Sequence, residues 1–226
     1  MARQSRIVVV GAPHHVTQRG NRRQTVFFSD TDYVLYLQIA AACFAESQAE
    51  VWGYCLMPNH VHLIVAPQTK DALRAPLLKL HARYARAINA RERWTGHLWQ
   101  SRFASFPMDE PYFIQCARYV GLNPVRAGLV ARASDWAWSS VRAHLAETDD
   151  ALVRTAKLKA TLGAGVQGFF TADVAAEARK ALRRASATGR PLGASAWVKA
   201  LEKSEGRVLA PRAPGRPRRS ETAHAI

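Results

Sequence analysis

Residues 50–67 read EVWGYCLMPNHVHLIVAP, and the fold turns on them. Two apolar runs rich in β-branched and aromatic side chains flank Pro58-Asn59, residue types that favour a tight reversal over a continued strand. The stretch therefore predicts two strands joined as a hairpin. In the second run His60 and His62 stand two apart. A strand points both imidazoles to one side and turns Val61 to the other.

Working outward, His14 to Arg19 alternates in the manner of a strand, and Gly20-Asn21 opens a basic turn containing Arg22 and Arg23. Asp30 or Thr31 can cap a helix running through Tyr33, Leu37, Ile39 and Phe44. Beyond the hairpin, Leu73, Leu77, Leu80, Tyr84 and Ile88 recur at helical spacing over about residues 71–93. Pro76 lies near the start of that helix, and Arg74, Lys79, Arg83, Arg86, Arg91 and Arg93 form a stripe on its other side. A strand over 102–108 follows. Asp109 or Glu110 then opens a helix with Pro111 at its first position. It carries Phe113, Cys116, Ala117, Tyr119 and Val120 and stops near Asn123-Pro124.

Strand, helix, two hairpin strands, helix, strand, helix is the order of an α+β domain of the ferredoxin-like kind: an antiparallel sheet with helices packed on it, over residues 1–145. Residues 146–205 read as a basic helical extension. Helices are expected over 171–187 and 195–203, separated by a break at Thr188-Gly189-Arg190-Pro191. Residues 206–226 are rich in Arg and Pro, the composition of a disordered tail.

Lys and Arg outnumber Asp and Glu by 32 to 17, a net charge of +15, and both halves of the chain carry the excess. Such a protein is built to meet a polyanion, although charge alone separates neither DNA from RNA nor either from an anionic membrane. With 48% hydrophobic residues the chain can build a core. Cys43, Cys55 and Cys116 are far apart and form no CxxC pair, which argues against a zinc ribbon or a disulfide framework; they read as small buried hydrophobes in a reducing cytoplasm. The apolar run Ile7–Val10 is cut short by Gly11 and Pro13, too soon for a signal peptide or a membrane span. The expectation is a cytoplasmic, nucleoid-associated protein without a membrane partner, a monomer or homodimer.

Two histidines on one strand face can hold a divalent cation if a third ligand approaches, or can be ordinary polar residues. Tyr119 and Asn123 are four apart and share a helical face. They can supply a nucleophilic oxygen and a metal-binding oxygen together. The plainer alternative is a core tyrosine and an asparagine that ends a helix before proline.

Taken together and in order, HHVTQRGNRRQ (14–24), MPNHVHLIV (57–65), HLWQSRF (97–103), ARYVGLNPVRAGLV (117–130) and DWAWSS (135–140) resemble the REP-associated tyrosine transposases. These are relatives of the single-tyrosine HUH transposases, and the resemblance spans about residues 5–145. It implies an HUH endonuclease fold in which His60 and His62 bind Mg²⁺ or Mn²⁺. It implies that Tyr119 is the nucleophile and that Asn123 is a polar metal ligand, at a position where relatives often carry Gln. The implied substrate is single-stranded DNA beside a hairpin such as a REP palindrome, cut through a 5′-phosphotyrosine link that leaves a free 3′-OH.

Under that resemblance Arg19, Arg22, Arg23, Arg83, Arg86 and Arg102 are candidate phosphate contacts. Trp94 and Trp99 are either base-stacking platforms or core residues. Gly215-Arg216-Pro217 with Arg218 resembles an AT-hook for an A·T minor groove, or is a solvated basic tail. Two other readings stand beside the nuclease. One is a catalytically idle hairpin-binding regulator on the same fold. The other is a metal-sensing or RNA-binding protein whose histidines hold zinc, which the absence of a Cys/His cluster disfavours.

Overall fold

The computed structural model describes residues 6–210. Its sheet consists of β1 (His14–Arg19), β2 (Ala49–Met57), β3 (His60–Pro67) and β4 (Ala104–Pro107). The strands lie in the order β2-β3-β1-β4 and every neighbouring pair is antiparallel. With α1 (Asp30–Ala45) between β1 and β2, and α2 (Arg74–Glu92) between β3 and β4, this is the ferredoxin-like split βαβ arrangement expected from the sequence. Pro58-Asn59 makes the two-residue connection, setting Met57 opposite His60.

Seven more α-helices follow among the described residues. They are α3 (Glu110–Gly121), α4 (Asn123–Arg126), α5 (Val141–Ala146), α6 (Ala156–Leu162), α7 (Val166–Phe169), α8 (Ala176–Thr188) and α9 (Ser195–Glu205).

Strand alternation sends side chains to two different interiors. Val16, Leu56, Val61, Leu63 and Val65 face α1 and α2. There Leu73, Leu77, Leu80, Tyr84 and Ile88, the apolar stripe read in the sequence, are all almost fully buried. Burying one such leucine contributes about 1.5–3 kcal/mol. The cap of α1 is Ser29 rather than Asp30 or Thr31. Asp32 explains this: its carboxylate accepts from the backbone N–H of Phe28 (2.7 Å) and of Ser29 (3.2 Å), fixing the first turn one residue earlier. On α1 it is Tyr33, Tyr36, Ala40, Cys43 and Phe44 that enter the core, while Leu37 and Ile39 are only half-buried.

Cys55, Met57, Ile64, Ala66 and Phe106 face the other side, and chain from beyond residue 110 covers them. α3 lies over β2 and β3, α8 lies over β1 and β4, and the two helices touch each other. Leu158, Phe169, Phe170, Leu182 and Ala185, all from the segment read as an extension, share this core with Phe113, Cys116 and Val120. Gly121 permits the closest approach, since a Cβ there would lie 2.5 Å from the ring of Phe170.

Both sheet edges are closed. At β2, Leu56 N–H donates to Trp138 O (2.8 Å) and Ser140 N–H to Tyr54 O (3.0 Å), so the DWAWSS segment occupies that edge. At β4, Leu192 N–H donates to Pro107 O (3.0 Å) and Asp109 N–H to Leu192 O (3.2 Å). Edges covered in this way offer no free row of backbone groups for pairing with another chain.

Candidate active site

His60 and His62 open β3, and the pleat turns both toward the α3–α8 side while Val61 is fully buried on the other. The two rings meet edge to face with centroids 4.8 Å apart. Each has its Nδ1 held. His60 Nδ1–H donates to Asn59 Oδ1 at 2.6 Å, since a carbonyl can only accept, and this leaves Nε2 as a bare lone pair. His62 Nδ1 lies 2.9 Å from Nε2 of His15, and His62 Nε2 lies 2.8 Å from Nδ2 of Asn123.

The Asn123 nitrogen decides the protons along this chain. An amide N–H donating to His62 Nε2 requires a lone pair there, so His62 carries its proton on Nδ1 and donates to His15, which is protonated at its own Nδ1. The His15 and His62 rings are within 3° of parallel, centroids 5.1 Å apart; with an N–N contact of 2.9 Å they lie edge to edge rather than stacked.

Desolvation keeps all three imidazoles neutral. Burial, helped by the charge of Arg19, lowers His60 to about 4. Burial together with His60 lowers His15 to about 3, and His62 is pushed well below the ordinary value, again chiefly by burial. A neutral imidazole offers a lone pair to a divalent cation: His60 Nε2 is free, and His62 Nε2 becomes free when the Asn123 amide nitrogen turns away from it. Among the described residues no three or more His, Cys, Asp or Glu side chains are grouped as a metal site. The donor set available here is two imidazoles and an amide, and a half-turn of the Asn123 amide presents its oxygen at the same point.

Tyr119 stands on the last turn of α3, its ring edge-on to His62 (centroids 6.0 Å) and His15 (6.3 Å). Arg126 pins it from behind. The guanidinium sits 4.4 Å from the ring centroid, donates to the Tyr119 carbonyl, and is paired with Asp173 at 3.0 Å. α3 ends at Gly121 and Asn123 begins the next short helix, yet the chain stays nearly helical at Leu122 (φ −87°, ψ 3°). The four-residue spacing thus still brings Tyr119 and Asn123 to one side.

These residues line a cleft of about 1000 Å³, which also receives Arg19, Arg23, Arg102 and Arg183. No other tyrosine borders it: Tyr33, Tyr36, Tyr54 and Tyr84 are buried in the α1–α2 core, and Tyr112 packs against the α3–α8 core.

The pattern that defines the family described as "Transposase IS200 like" matches residues 9–123, slightly more than half of the chain. The chain belongs to the IS200-like transposase family. No curated protein sequence matches it. A solved REP-associated tyrosine transposase bound to a REP hairpin is similar in fold, with a TM-score of 0.57 and 20% identity, over 68% of this chain and 92% of that one. A Deinococcus radiodurans R1 protein described as a transposase gives a TM-score of 0.38 and 21% identity, over 53% of this chain and 95% of that one.

In this transposase the other sequence candidates scatter. Arg22 occupies the same turn as Arg23 but does not line the cleft. Arg83 and Arg86 are exposed on α2, across the sheet from the histidines. Trp99 is no stacking platform: it is 8% exposed, and its indole N–H donates to His81 O at 3.0 Å inside the core. Trp94 is 42% exposed and meets the exposed Phe28 edge-on. Arg216 and Arg218 lie outside the described residues. Two cleft residues escaped the sequence reading. His15 could have been suspected from its place in an alternating strand opposite the core residue Val16, whereas nothing local marks Arg183. No helix among the described residues is long and apolar enough to cross a membrane.

Proposed function

We propose that this transposase is a metal-dependent single-strand DNA endonuclease and strand transferase that uses Tyr119 as its nucleophile. The observation that carries the reading is one basic cleft holding Tyr119 beside His60, His62 and Asn123. The two histidines, through Nε2, and the oxygen of the Asn123 amide would hold Mg²⁺ or Mn²⁺, the oxygen being the donor type these ions favour. The ion supplies charge neutralisation at a non-bridging phosphate oxygen, the main obstacle to attack on an anionic diester.

The protein's own groups do the rest. Arg19, Arg23 and Arg102 hold the phosphodiester chain in the cleft. Arg126 fixes the Tyr119 ring so that its oxygen faces the phosphate. The phenol oxygen gives up its proton and bonds to phosphorus, while the bond from phosphorus to the 3′-oxygen breaks and that oxygen takes up a proton. The products are a 5′-phosphotyrosine and a free 3′-OH. An aryl oxide leaves more readily than an alkoxide, so a DNA 3′-OH can reverse the bond and complete strand transfer without an energy source.

The hairpin beside the cut is carried over from the structural relative, which holds a REP hairpin. The deciding experiment incubates the protein with hairpin-bearing single-stranded DNA and Mn²⁺ and maps any DNA-linked peptide by mass spectrometry. The expected adduct is on Tyr119, and Tyr119→Phe abolishes it while hairpin binding persists. An adduct on Tyr112, or full activity in the Tyr119→Phe variant, overturns the assignment. Hairpin binding with no adduct under any metal identifies an idle regulator instead.

A further inference from the structure

The family match ends at residue 123, yet α8, starting at Ala176, borders the same cleft as the histidines. Its placement is fixed by packing. Leu182 and Ala185, three apart on one face, are 1% and 5% exposed in the core shared with α3. The neighbouring face presents Arg183 and Ser186 to the cleft, and the third presents Lys180 and Arg184 to a groove between α8 and α9. Consecutive helical residues stand about 100° apart, which is why Arg183 and Arg184 look to different sides.

The segments before and after α8 are tied to α3 and β4. Arg118 donates to Phe169 O at 3.0 Å, Asp173 pairs with Arg126, and Leu192 bonds to the β4 edge. α8 is thus seated over β1 and β4, where the sheet would otherwise be bare.

Convergence of charge separates this cleft from the rest of a basic surface, where Arg83 and Arg86 also lack a carboxylate partner among the described residues but lie along one exposed helix. Arg91, Arg126, Arg132, Arg154 and Arg179 are each paired with a carboxylate. Arg19, Arg23, Arg102 and Arg183 line the cleft without an acidic partner, and no Asp or Glu lines it, among the described residues. Four uncompensated guanidiniums around one concavity favour a polyanion threaded through it.

We propose that α8 is a wall of the DNA-binding cleft and that Arg183 binds a phosphate of the single strand there. This deepens the function proposed above and rests on it for the identity of the ligand. It makes the chain beyond residue 145 part of the substrate site rather than an appendage.

The test uses the full-length protein and a fluorescent hairpin-bearing single strand in EDTA, with dissociation constants measured from 50 to 200 mM KCl. Arg183→Ala is expected to weaken binding severalfold and to make the log–log salt slope shallower by about 0.7, the release expected for one single-strand phosphate contact. Arg183→Lys keeps the slope. Arg184→Ala, one residue along but facing α9, leaves affinity and slope as in the wild type. Arg183 is exposed, so circular dichroism should be unchanged in every variant. Wild-type behaviour in Arg183→Ala, or equal losses in Arg183→Ala and Arg184→Ala, overturns the inference. Because binding is read without metal, it is independent of cutting. A wild-type protein that binds but forms no Tyr119 adduct breaks the proposed function, whereas one that forms the adduct but ignores Arg183→Ala breaks only the role of α8.

Discussion

The two faces of the one sheet are covered in different ways, and the difference accounts for where the cleft lies. On one face α1 and α2 come from the crossovers within the ferredoxin-like unit and seal the sheet. Within that layer the Tyr36 hydroxyl lies 3.1 Å from His81 Nε2. On the other face α3 lies mainly over β2 and β3, and α8, arriving more than fifty residues later, takes β1 and β4. The covering is therefore divided, and His15, His60 and His62 lie where the two helices leave the sheet open. Both faces bury histidines. His81 on the first face borders a concavity of about 440 Å³, but only on the divided face do strand histidines share a concavity with a tyrosine and an asparagine.

The sharpest way to break this comparison is to remove one of the two strand histidines proposed to hold the metal on the divided face. His60→Ala or His62→Ala should lower cleavage by at least about 10³-fold, the scale expected when electrostatic stabilisation of the reacting group is lost. Hairpin affinity should stay within about twofold, because the arginines remain. Undiminished cutting by either variant, or by the wild type in EDTA, would count against the metal. Next comes His15, whose Nε2 accepts a hydrogen bond from the proton that His62 carries on Nδ1. His15→Ala should weaken Mn²⁺ binding by about 10–100-fold, as outer partners of ligating histidines commonly do. Electron paramagnetic resonance titration of free Mn²⁺ reads this without any cleavage assay, and an unchanged affinity rejects it. Asn123→Ala should do less, raising the metal concentration needed for half-maximal cutting by about tenfold and leaving activity at saturation.

The sealed face supplies the smallest effect, one on stability alone. Burial lowers His81 from the ordinary 6.5 to about 3. The unfolded chain takes up a proton below pH 6.5 that the folded chain refuses until about pH 3, so stability falls as pH falls through that window. Between pH 6.5 and 5 the loss from this group is about 2 kcal/mol. His81→Gln should flatten the pH dependence of the unfolding free energy from urea titration by that amount and leave cleavage at pH 7.5 untouched. An equally steep profile in the variant would assign the loss to the other buried histidines.

What could be read in the sequence follows the range of the forces involved. Strand alternation and a two-residue turn are local, so the hairpin and the shared direction of His60 and His62 were legible in residues 50–67. The spacing of Tyr119 and Asn123 was legible for the same reason, and so was the apolar stripe of α2. Register is not local. His15 meets His62 only because β1 pairs with β3 so that His15 faces Ile64, and no neighbour of His15 in the chain announces that. Charge was read without direction: Arg83 and Arg86 looked equivalent to Arg19 and Arg23 until the sheet put them on opposite sides. The role of α8 depended on a surface formed by residues far earlier in the chain.

Asp109 ties these distant parts together with one carboxylate. Its Oδ1 accepts the Tyr112 amide and starts the helix that carries Tyr119, while its Oδ2 accepts the Ala194 amide at 2.7 Å, where α9 begins. Gly193 leaves room for this, since a Cβ there would sit 2.8 Å from the same oxygen. Two amides remote in sequence thus bond to the two oxygens of one carboxylate, so both are expected to owe part of their exchange protection to the same side chain. Asp109→Ala should erase protection at both amides together, uncoupling the helix that carries Tyr119 from the far end of the chain before either one unfolds.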